Sequence, residues 1–324
     1  MAGVISNLLQ RRVIVTLGKG GVGRTSVSAA IALVAAGSGM RALIIETDPE
    51  QPIAAGYGLK PGLEPVALAH NLWALFLGGQ ESLEDYLGMA VPGAILRVVR
   101  ASSLYQYFVS AAPGIRELTM MGKIYHEVER RSKSLPPWDL IVVDAPASGQ
   151  ALSMIRMPFV ANETFGNSIV GSEASQVAAF FRDRSKCALI AVTTAEAFAI
   201  SETLEIHHAL EALGLGLAAV IFNRSTAGGF ESSDITRMLT RAARGKALKN
   251  PGILAEIARK DLKRRNRERR ALGLLARQIN TPTIQLIDRR GLANRELASE
   301  LAGQLVHDAK ITIAAVDAAQ GHQP

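Results

Sequence analysis

One stretch decides the fold of this chain: Gly18-Lys19-Gly20-Gly21-Val22-Gly23-Arg24-Thr25-Ser26. An apolar run at residues 12–17 precedes it and predicts a buried β-strand, and residues 27–34 after it predict a helix. A glycine-rich turn between a strand and a helix points successive backbone N–H groups inward, and the helix dipole favours negative charge at the same place. The stretch therefore predicts a cradle for the phosphates of a nucleotide.

The loop fits the phosphate-binding template G-x-x-x-x-G-K-[ST] with one departure. Gly18, Gly23 and Thr25 stand at template positions, but Arg24 takes the place of the lysine. Arginine keeps the positive charge but is longer, planar and bidentate, so the exchange is not conservative in a crowded site. We expect nucleotide binding to survive it. Two outcomes stay open for turnover: an active loop adjusted to arginine, which we favour, or a nucleotide-binding subunit that pairs with a lysine-bearing paralogue.

Strand and helix patterns alternate along the 324 residues. Strands are predicted at residues 12–17, 42–47, 71–77, 140–144, 188–193, 217–223 and 283–286, and helices at 26–36, 82–107, 118–133, 196–213, 252–279 and 294–307. This alternation favours an α/β fold with a doubly wound, mostly parallel sheet, which binds ligands at the carboxyl ends of its strands. Asp48, Asp144 and Asn223 all fall at such ends. We expect one domain over residues 1–324.

Several segments make the chain resemble a known class of ATPases. The early Lys19 makes the loop similar to the deviant Walker A loop of the Min/Par, nitrogenase-iron-protein and arsenite-pump ATPases, a SIMIBI-type class of P-loop NTPases. Four further segments add to the resemblance. Residues 44–49 resemble switch I, and residues 138–149 resemble the Walker B strand with switch II. Residues 112–124 resemble a segment of the arsenite-pump and tail-anchored-targeting branch, and residues 220–224 resemble the strand whose asparagine contacts adenine. The bacterial members of that branch are the most similar.

The resemblance implies a role for each residue of the site. It implies that ATP is bound by Gly18, Lys19, Gly20, Gly21, Val22, Gly23, Arg24, Thr25, Ser26 and Asn223. Lys19, Asp48 and Arg24 are the implied catalytic residues. Lys19 would neutralise charge on the phosphoryl group bound by a partner subunit, and Asp48 would orient or activate the attacking water. Thr25 would contact Mg²⁺ directly and Asp144 would hold it through a water.

Composition narrows the class of protein. The single cysteine, Cys187, excludes an intramolecular disulfide framework and suits a reducing compartment, and its apolar neighbours predict a buried, inert thiol. One cysteine supplies neither the thiolates of the arsenite-responsive family members nor the paired cysteines that bind zinc in the eukaryotic targeting factors. We therefore expect no zinc. No run predicts a signal peptide or a membrane span, so we expect a cytoplasmic protein that can act peripherally at a membrane.

The net charge of +7 is concentrated in one place. Residues 259–270 contain eight basic residues and only two acidic ones, Asp261 and Glu268. A predicted helical segment at about 252–279 therefore carries +6 of the net charge. One interpretation is a cationic surface for anionic lipid, nucleic acid or an acidic partner. The other, which we favour, is a solvated basic helix face, and we do not expect nucleic acid as a partner.

Three functions remain open at this point. The first is an ATPase that works as a homodimer or as a heterodimer with a related ATPase and handles a membrane protein or another apolar cargo. The second is a weakly active regulatory subunit, and the third is a Min/Par-like positioning ATPase that binds lipid or DNA. A helical insertion at about 78–134 is unusually apolar and contains Met120 and Met121. It predicts either core packing, which we favour, or a cargo groove.

Overall fold

The computed structural model describes residues 3–78, 114–129, 138–226, 236–237, 240, 251–289, 291–292 and 294–309. Its strands are β1 (Val13–Leu17), β2 (Ala42–Glu46), β3 (Val66–Ala69), β4 (Leu72–Phe76), β5 (Leu140–Asp144), β6 (Cys187–Thr193), β7 (Leu217–Ser225) and β8 (Thr283–Ile287). Its helices are α1 (Val4–Leu8), α2 (Arg24–Gly37), α3 (Pro52–Ala55), α4 (Ile115–Glu129), α5 (Ser148–Phe165), α6 (Ile169–Arg182), α7 (Ala197–Ala212), α8 (Pro251–Gln278) and α9 (Asn294–Ala309).

The strands form one sheet in the order β3-β4-β2-β5-β1-β6-β7-β8. Every neighbouring pair is parallel except β3 and β4, which are antiparallel at one edge. All residues of β1, β2, β5 and β6 are buried, as expected for central parallel strands that helices cover on both faces. The predicted α/β class with a doubly wound, mostly parallel sheet is confirmed.

Two helix layers bury the two faces of the sheet. Val13, Val15 and Leu17 of β1 pack into the core formed with α4, α5, α6, α7 and α8, while Ile14 packs on the opposite side with α1, α2 and α9. The central strands therefore alternate their side chains between two apolar layers. The consequence for function is that the strand ends are held rigidly and the loops after them are brought to one edge.

The apolar methionines of the predicted insertion lie in the core where the structure describes them. Met120 and Met121 on α4 are buried against α5, whose Met154 is also buried. The core interpretation therefore holds for these three side chains. The helix predicted at residues 82–107, and with it the question of a groove, lies outside the described residues. The extent of the domain remains a prediction.

Two long helices were not predicted from the sequence. α5 begins immediately after residues 144–147 and contains Gly149 and a buried Pro158, so its apolar spacing is interrupted. α6 follows it closely, and its N-cap is Ser168, whose side chain accepts a hydrogen bond from the backbone N–H of Gly171. Among the described residues, no helix is both long enough and apolar enough to cross a bilayer.

Candidate active site

The glycine loop, residues 18–26, connects the carboxyl end of β1 to the first turn of α2. Gly18 and Gly23 have φ angles of 145° and 92°, in a region that side chains rarely adopt. A Cβ atom at Gly18 would collide with the carbonyl oxygen of Val192, and one at Gly23 would collide with the side-chain amide of Asn223. Only glycine therefore allows this backbone to lie so close to the ends of β6 and β7.

Arg24, the first residue of α2, turns back onto the loop. Its Nη1 donates a hydrogen bond to the carbonyl oxygen of Gly18 at 2.5 Å. Burial lowers the pKa of Arg24, while the carboxylates of Asp144, Glu202 and Asp48 act in the opposite direction. Its Nε is buried and has no hydrogen-bond partner within the part of the chain that the structure describes. A buried guanidinium donor without an acceptor fits the binding of an anion.

Asp144, the last residue of β5, lies next to the first turn of α2. The parallel pairing of β5 with β1 sets Asp144 opposite Thr16. Thr25 Oγ1 donates to one oxygen of the carboxylate at 2.8 Å, and Ser28 Oγ donates to the other at 2.9 Å. Asp144 is 3% exposed, and burial raises its pKa despite these hydrogen bonds. A hydroxyl and a carboxylate are oxygen ligands that suit Mg²⁺, and a cation would offset the buried negative charge.

Asp48 lies at the same edge of the sheet, two residues after β2. It is exposed, and its Oδ1 accepts a hydrogen bond from the backbone N–H of Glu50 at 2.9 Å. The preceding Thr47 donates from Oγ1 to the backbone carbonyl of Asp144 at 2.8 Å, which ties this loop to the end of β5. Asp48 is near enough to influence the pKa values of both Arg24 and Asp144. Its carboxylate therefore belongs to the electrostatic surroundings of the glycine loop.

Asn223, near the end of β7, faces the glycine loop in this structure. Its Nδ2 donates to the carbonyl oxygen of Val22 at 2.8 Å, and its Oδ1 accepts from the backbone N–H of Arg224 at 2.9 Å. Asn223 is buried, and Arg224 has a left-handed φ of 57°. Both ends of the amide are thus engaged by the protein itself. Its predicted contact with adenine remains a prediction.

Lys19 points to a cleft beside the loop. Its Nζ lies 5.9 Å from the centre of the Phe198 ring, and Phe198 is 79% exposed. The cleft has a volume of about 280 Å³, and its lining includes Lys19, Ser148, Gly149, Phe198, Glu202 and Glu205. Lys19 therefore lies at a surface to which α5 and α7 both contribute.

The sequence matches one family of known proteins. The model of the anion-transporting ATPase family matches residues 11–174, about half of the chain. The chain belongs to this family. The matched region contains the glycine loop, Asp48 and Asp144, whereas Asn223 and the basic segment lie beyond it.

The chain is similar in sequence to several named ATPases. ATPase BagA of Mycobacterium tuberculosis is 29% identical over 246 residues, which cover 72% of this chain and 70% of that protein. A protein of Prosthecochloris vibrioformis described as an arsenical pump-driving ATPase is 31% identical over 150 residues, 45% of this chain and 36% of that protein. ATPase ASNA1 homolog 1 of Paramecium tetraurelia is 29% identical over 143 residues, 44% of this chain and 42% of that protein.

Sequence reasoning missed two carboxylates near the site of this ATPase. Glu46, the last residue of β2, is fully buried and accepts hydrogen bonds from the backbone N–H groups of Ile53 at 2.7 Å and Ala54 at 3.0 Å. Burial raises its pKa. The other is Glu202 on α7, which accepts a hydrogen bond from Ser148. A charged residue at the end of an otherwise apolar strand was the available signal for Glu46; an amphipathic helix gave none for Glu202.

The basic segment of this ATPase divides into inward and outward positions on α8. Glu268 is buried and accepts from the backbone N–H of Thr226 at 3.0 Å and from its hydroxyl at 2.6 Å. Arg264 is half-buried and pairs with Asp288 at 2.9 Å. Four exposed side chains share the outward face: Arg259, Lys263, Arg267 and Arg270. The segment thus packs through polar anchors in the turns where the sequence has no apolar residue.

Proposed function

We propose that this ATPase binds Mg·ATP at the glycine loop and hydrolyses it in a nucleotide-dependent dimer, and that hydrolysis drives a membrane-related transport or protein-targeting step. One observation carries the proposal: the buried Asp144 carboxylate and the Thr25 hydroxyl meet at 2.8 Å beside a loop that only glycine can form. A phosphate cradle and a set of hard oxygen ligands therefore occupy the same few ångströms.

The backbone and the first turn of α2 would bind the phosphates. The amides from Gly20 to Thr25 and the N-terminus of α2, at residues 24–26, supply N–H donors and the positive end of the helix dipole. Thr25 would hold Mg²⁺ through its hydroxyl and Asp144 through a water. When bound, Mg²⁺ supplies positive charge to the phosphate oxygens. Ser28 would keep the Asp144 carboxylate oriented through its 2.9 Å hydrogen bond.

Arg24 would act as the cation that binds the terminal phosphates. In the structure its Nη1 bonds to Gly18, and its buried Nε has no acceptor among the described residues. An arriving phosphate oxygen can satisfy that donor, since charge-assisted bonds to phosphate are the stronger ones. The hydrogen bond to Gly18 opposes a movement of the Arg24 side chain toward the phosphate. We therefore expect the protein to bind ATP but to hydrolyse it slowly.

Asp48 and Lys19 would complete the chemistry. Asp48 uses one carboxylate oxygen for the turn at Glu50, and its other oxygen would orient the attacking water. Lys19 lies in the cleft with the exposed ring of Phe198. This position supports a role toward the nucleotide of a second subunit, in a homodimer or in a heterodimer with a related ATPase. Asn223 would give up its hydrogen bond to Val22, and its side-chain amide would then bind adenine.

The membrane-related step rests on relatives rather than on the cleft itself. One relative is described as an arsenical pump-driving ATPase and another as an ASNA1 homologue. We do not extend arsenical binding to this chain, because Cys187 lies buried in β6 and burial raises its pKa, which disfavours the thiolate that a soft ligand site needs. A protein or other apolar cargo at a membrane surface is the remaining role, and the protein would work in the cytoplasm.

Two alternatives each have one observation in their favour. The Arg24–Gly18 bond favours a weakly active regulatory subunit that pairs with a lysine-bearing paralogue. The outward basic face of α8 favours a Min/Par-like positioning ATPase that binds lipid or DNA. Neither observation outweighs the intact pairing of Thr25 with Asp144 and the presence of Asp48.

Phosphate release from the purified protein with Mg·ATP, measured beside nucleotide binding, tests the proposal. We expect the wild type to release phosphate and Asp48→Asn to bind ATP while losing about 10²-fold or more in rate. Glu50→Gln is the matched control, because it removes an exposed carboxylate two residues away and should keep the rate. If the wild type binds ATP without turnover and Arg24→Lys restores it, the regulatory alternative is correct. If the wild type binds no ATP, the proposal is wrong.

A further inference from the structure

A partly buried hydrogen bond connects the start of α5 to α7. Ser148, the first residue of α5, is buried, and its hydroxyl donates to Oε1 of Glu202. Ser148 follows the metal-ligand candidate Asp144 by four residues. The connection between β5 and α5 is therefore held at one end by the sheet and at the other by a carboxylate from a separate helix.

Positive charge converges on the Glu202 carboxylate. Glu202 lines the same cleft as Lys19, and it acts on the pKa of Arg24. The 18 residues of α5 add the positive end of a helix dipole at Ser148. The terminal phosphate of a nucleotide bound at the glycine loop would be attracted by Arg24 and by the same helix dipole. One carboxylate and one phosphate therefore compete for a shared positive field.

We infer that Glu202 is a positioning residue that stands in for the terminal phosphate in the nucleotide-free protein. It holds the first turn of α5 through Ser148, and an ATP terminal phosphate attracts Arg24 and repels the Glu202 carboxylate. The repelled carboxylate moves away from Ser148, which allows the connection after Asp144 to move. ADP lacks this phosphate and leaves the Ser148 bond in place. The inference rests on the proposed ATP site.

Three substitutions separate the effect of the Glu202 charge, the effect of the Ser148 hydrogen bond and the effect of overall charge in the cleft. Glu202→Gln removes the charge and keeps the size and an acceptor oxygen. Ser148→Ala removes the hydrogen bond and keeps the charge. Glu205→Gln is the matched control, because Glu205 is exposed in the same cleft and accepts a hydrogen bond from Ser201 at 3.5 Å instead of from Ser148. Thermal unfolding of each variant checks that the fold is retained.

The measurements are the affinities for Mg·ATP and Mg·ADP and the hydrogen exchange of residues 145–150. We expect Glu202→Gln to bind ATP about fivefold more tightly, which corresponds to about 1 kcal/mol, and to change ADP affinity by less than about twofold. In the nucleotide-free protein, exchange should rise in Ser148→Ala and, less strongly, in Glu202→Gln, because a neutral acceptor makes a weaker bond. Glu205→Gln should change neither the ATP-to-ADP affinity ratio nor exchange.

Two results would overturn the inference. If Glu202→Gln loses affinity for ATP and ADP together, Glu202 merely supports the fold. If Glu205→Gln raises the ATP-to-ADP ratio as much as Glu202→Gln does, the effect is one of overall charge. The failure of the proposed function looks different, because the wild type would then bind no ATP. A wild type that binds ATP beside a Glu202→Gln variant with an unchanged ratio contradicts this inference alone.

Discussion

Replacing Asp144 with asparagine should stabilise the nucleotide-free protein while removing its function. The carboxylate is 3% exposed, and the net effect of its surroundings raises its pKa, with burial as the largest cause. The folded protein therefore favours the neutral form of this side chain more than the unfolded chain does. Asparagine has nearly the shape of that neutral form and carries no charge.

The magnitude follows from the two hydroxyl contacts. Neutralising a buried charge removes an effective penalty of several kcal/mol. Asparagine keeps both contacts, since its oxygen can accept from one hydroxyl and its amide can donate to the other, but the two bonds lose their charge assistance at about 1 kcal/mol each. The remainder is a stabilisation of about 1–2 kcal/mol, which corresponds to a rise in Tm of about 1.5–3 °C in a chain of this size.

The pH dependence has a definite sign. The ordinary pKa of Asp144 is 3.8, and its value in the folded protein is higher. Below 3.8 the wild-type carboxyl is protonated in both states, so the wild type and Asp144→Asn should be equally stable. As the pH rises through the folded-state pKa, the wild type loses stability relative to the variant, and the difference then stays constant.

Thermal unfolding between pH 5 and pH 8, with and without Mg·ATP, measures both effects. At about 100 times the dissociation constant, Mg·ATP should stabilise the wild type by about 2.7 kcal/mol and the variant by much less. Asp139→Asn, at the opposite end of β5, is the control of opposite sign, because Arg41 lowers the pKa of Asp139 and the variant should lose stability at neutral pH. A lower Tm for nucleotide-free Asp144→Asn, or an advantage that shrinks as the pH rises, would refute the reasoning.

Three further predictions follow from single contacts. Gly23→Ala should lose nucleotide binding and about 1–2 kcal/mol of stability, because its φ is left-handed and its Cβ meets Asn223. Gly303→Ala, at an exposed position of α9 with open space around its Cβ, should lose neither in a binding and unfolding assay. Glu268→Ala should cost about 2–3 kcal/mol in chemical unfolding, since Thr226 loses its acceptor. Phosphate release should survive removal of the outward charges by Arg259→Gln, Lys263→Gln, Arg267→Gln and Arg270→Gln together; loss of activity would contradict a solvated face.

The sequence predicted most of the sheet because its central strands are buried on both faces. Continuous apolar runs therefore predicted the ends of β2 and β5 to within one residue. The apolar pattern also predicted that the glycine loop lies between β1 and α2. The pattern failed at α5, where Pro158 and the glycine near its start interrupt the helical period. Helical periodicity is visible only where apolar residues provide the packing.

The polar contacts of the site could not be predicted from the pattern of apolar residues. The pattern indicated that Asp144 and Thr25 would lie near each other, because Asp144 ends β5 and Thr25 follows the loop after β1. It did not indicate that Asn223 would bond to Val22 or Arg24 to Gly18. Those bonds depend on side-chain orientation across elements that are far apart in sequence. No local propensity encodes such orientation, so the geometry of the loop had to come from the structure.

Carboxylates, rather than apolar side chains, hold the loops around the glycine loop. Glu46 holds the first turn of α3 after β2, Glu202 holds Ser148 after β5, and Glu268 holds Thr226 after β7. An apolar contact at these places could only be broken by exposing surface to water, whereas a hydrogen-bonded carboxylate can exchange one donor for another. An anion arriving among these loops can therefore rearrange them without disturbing the apolar layers, which is what a nucleotide-driven ATPase needs from the edge of a rigid sheet.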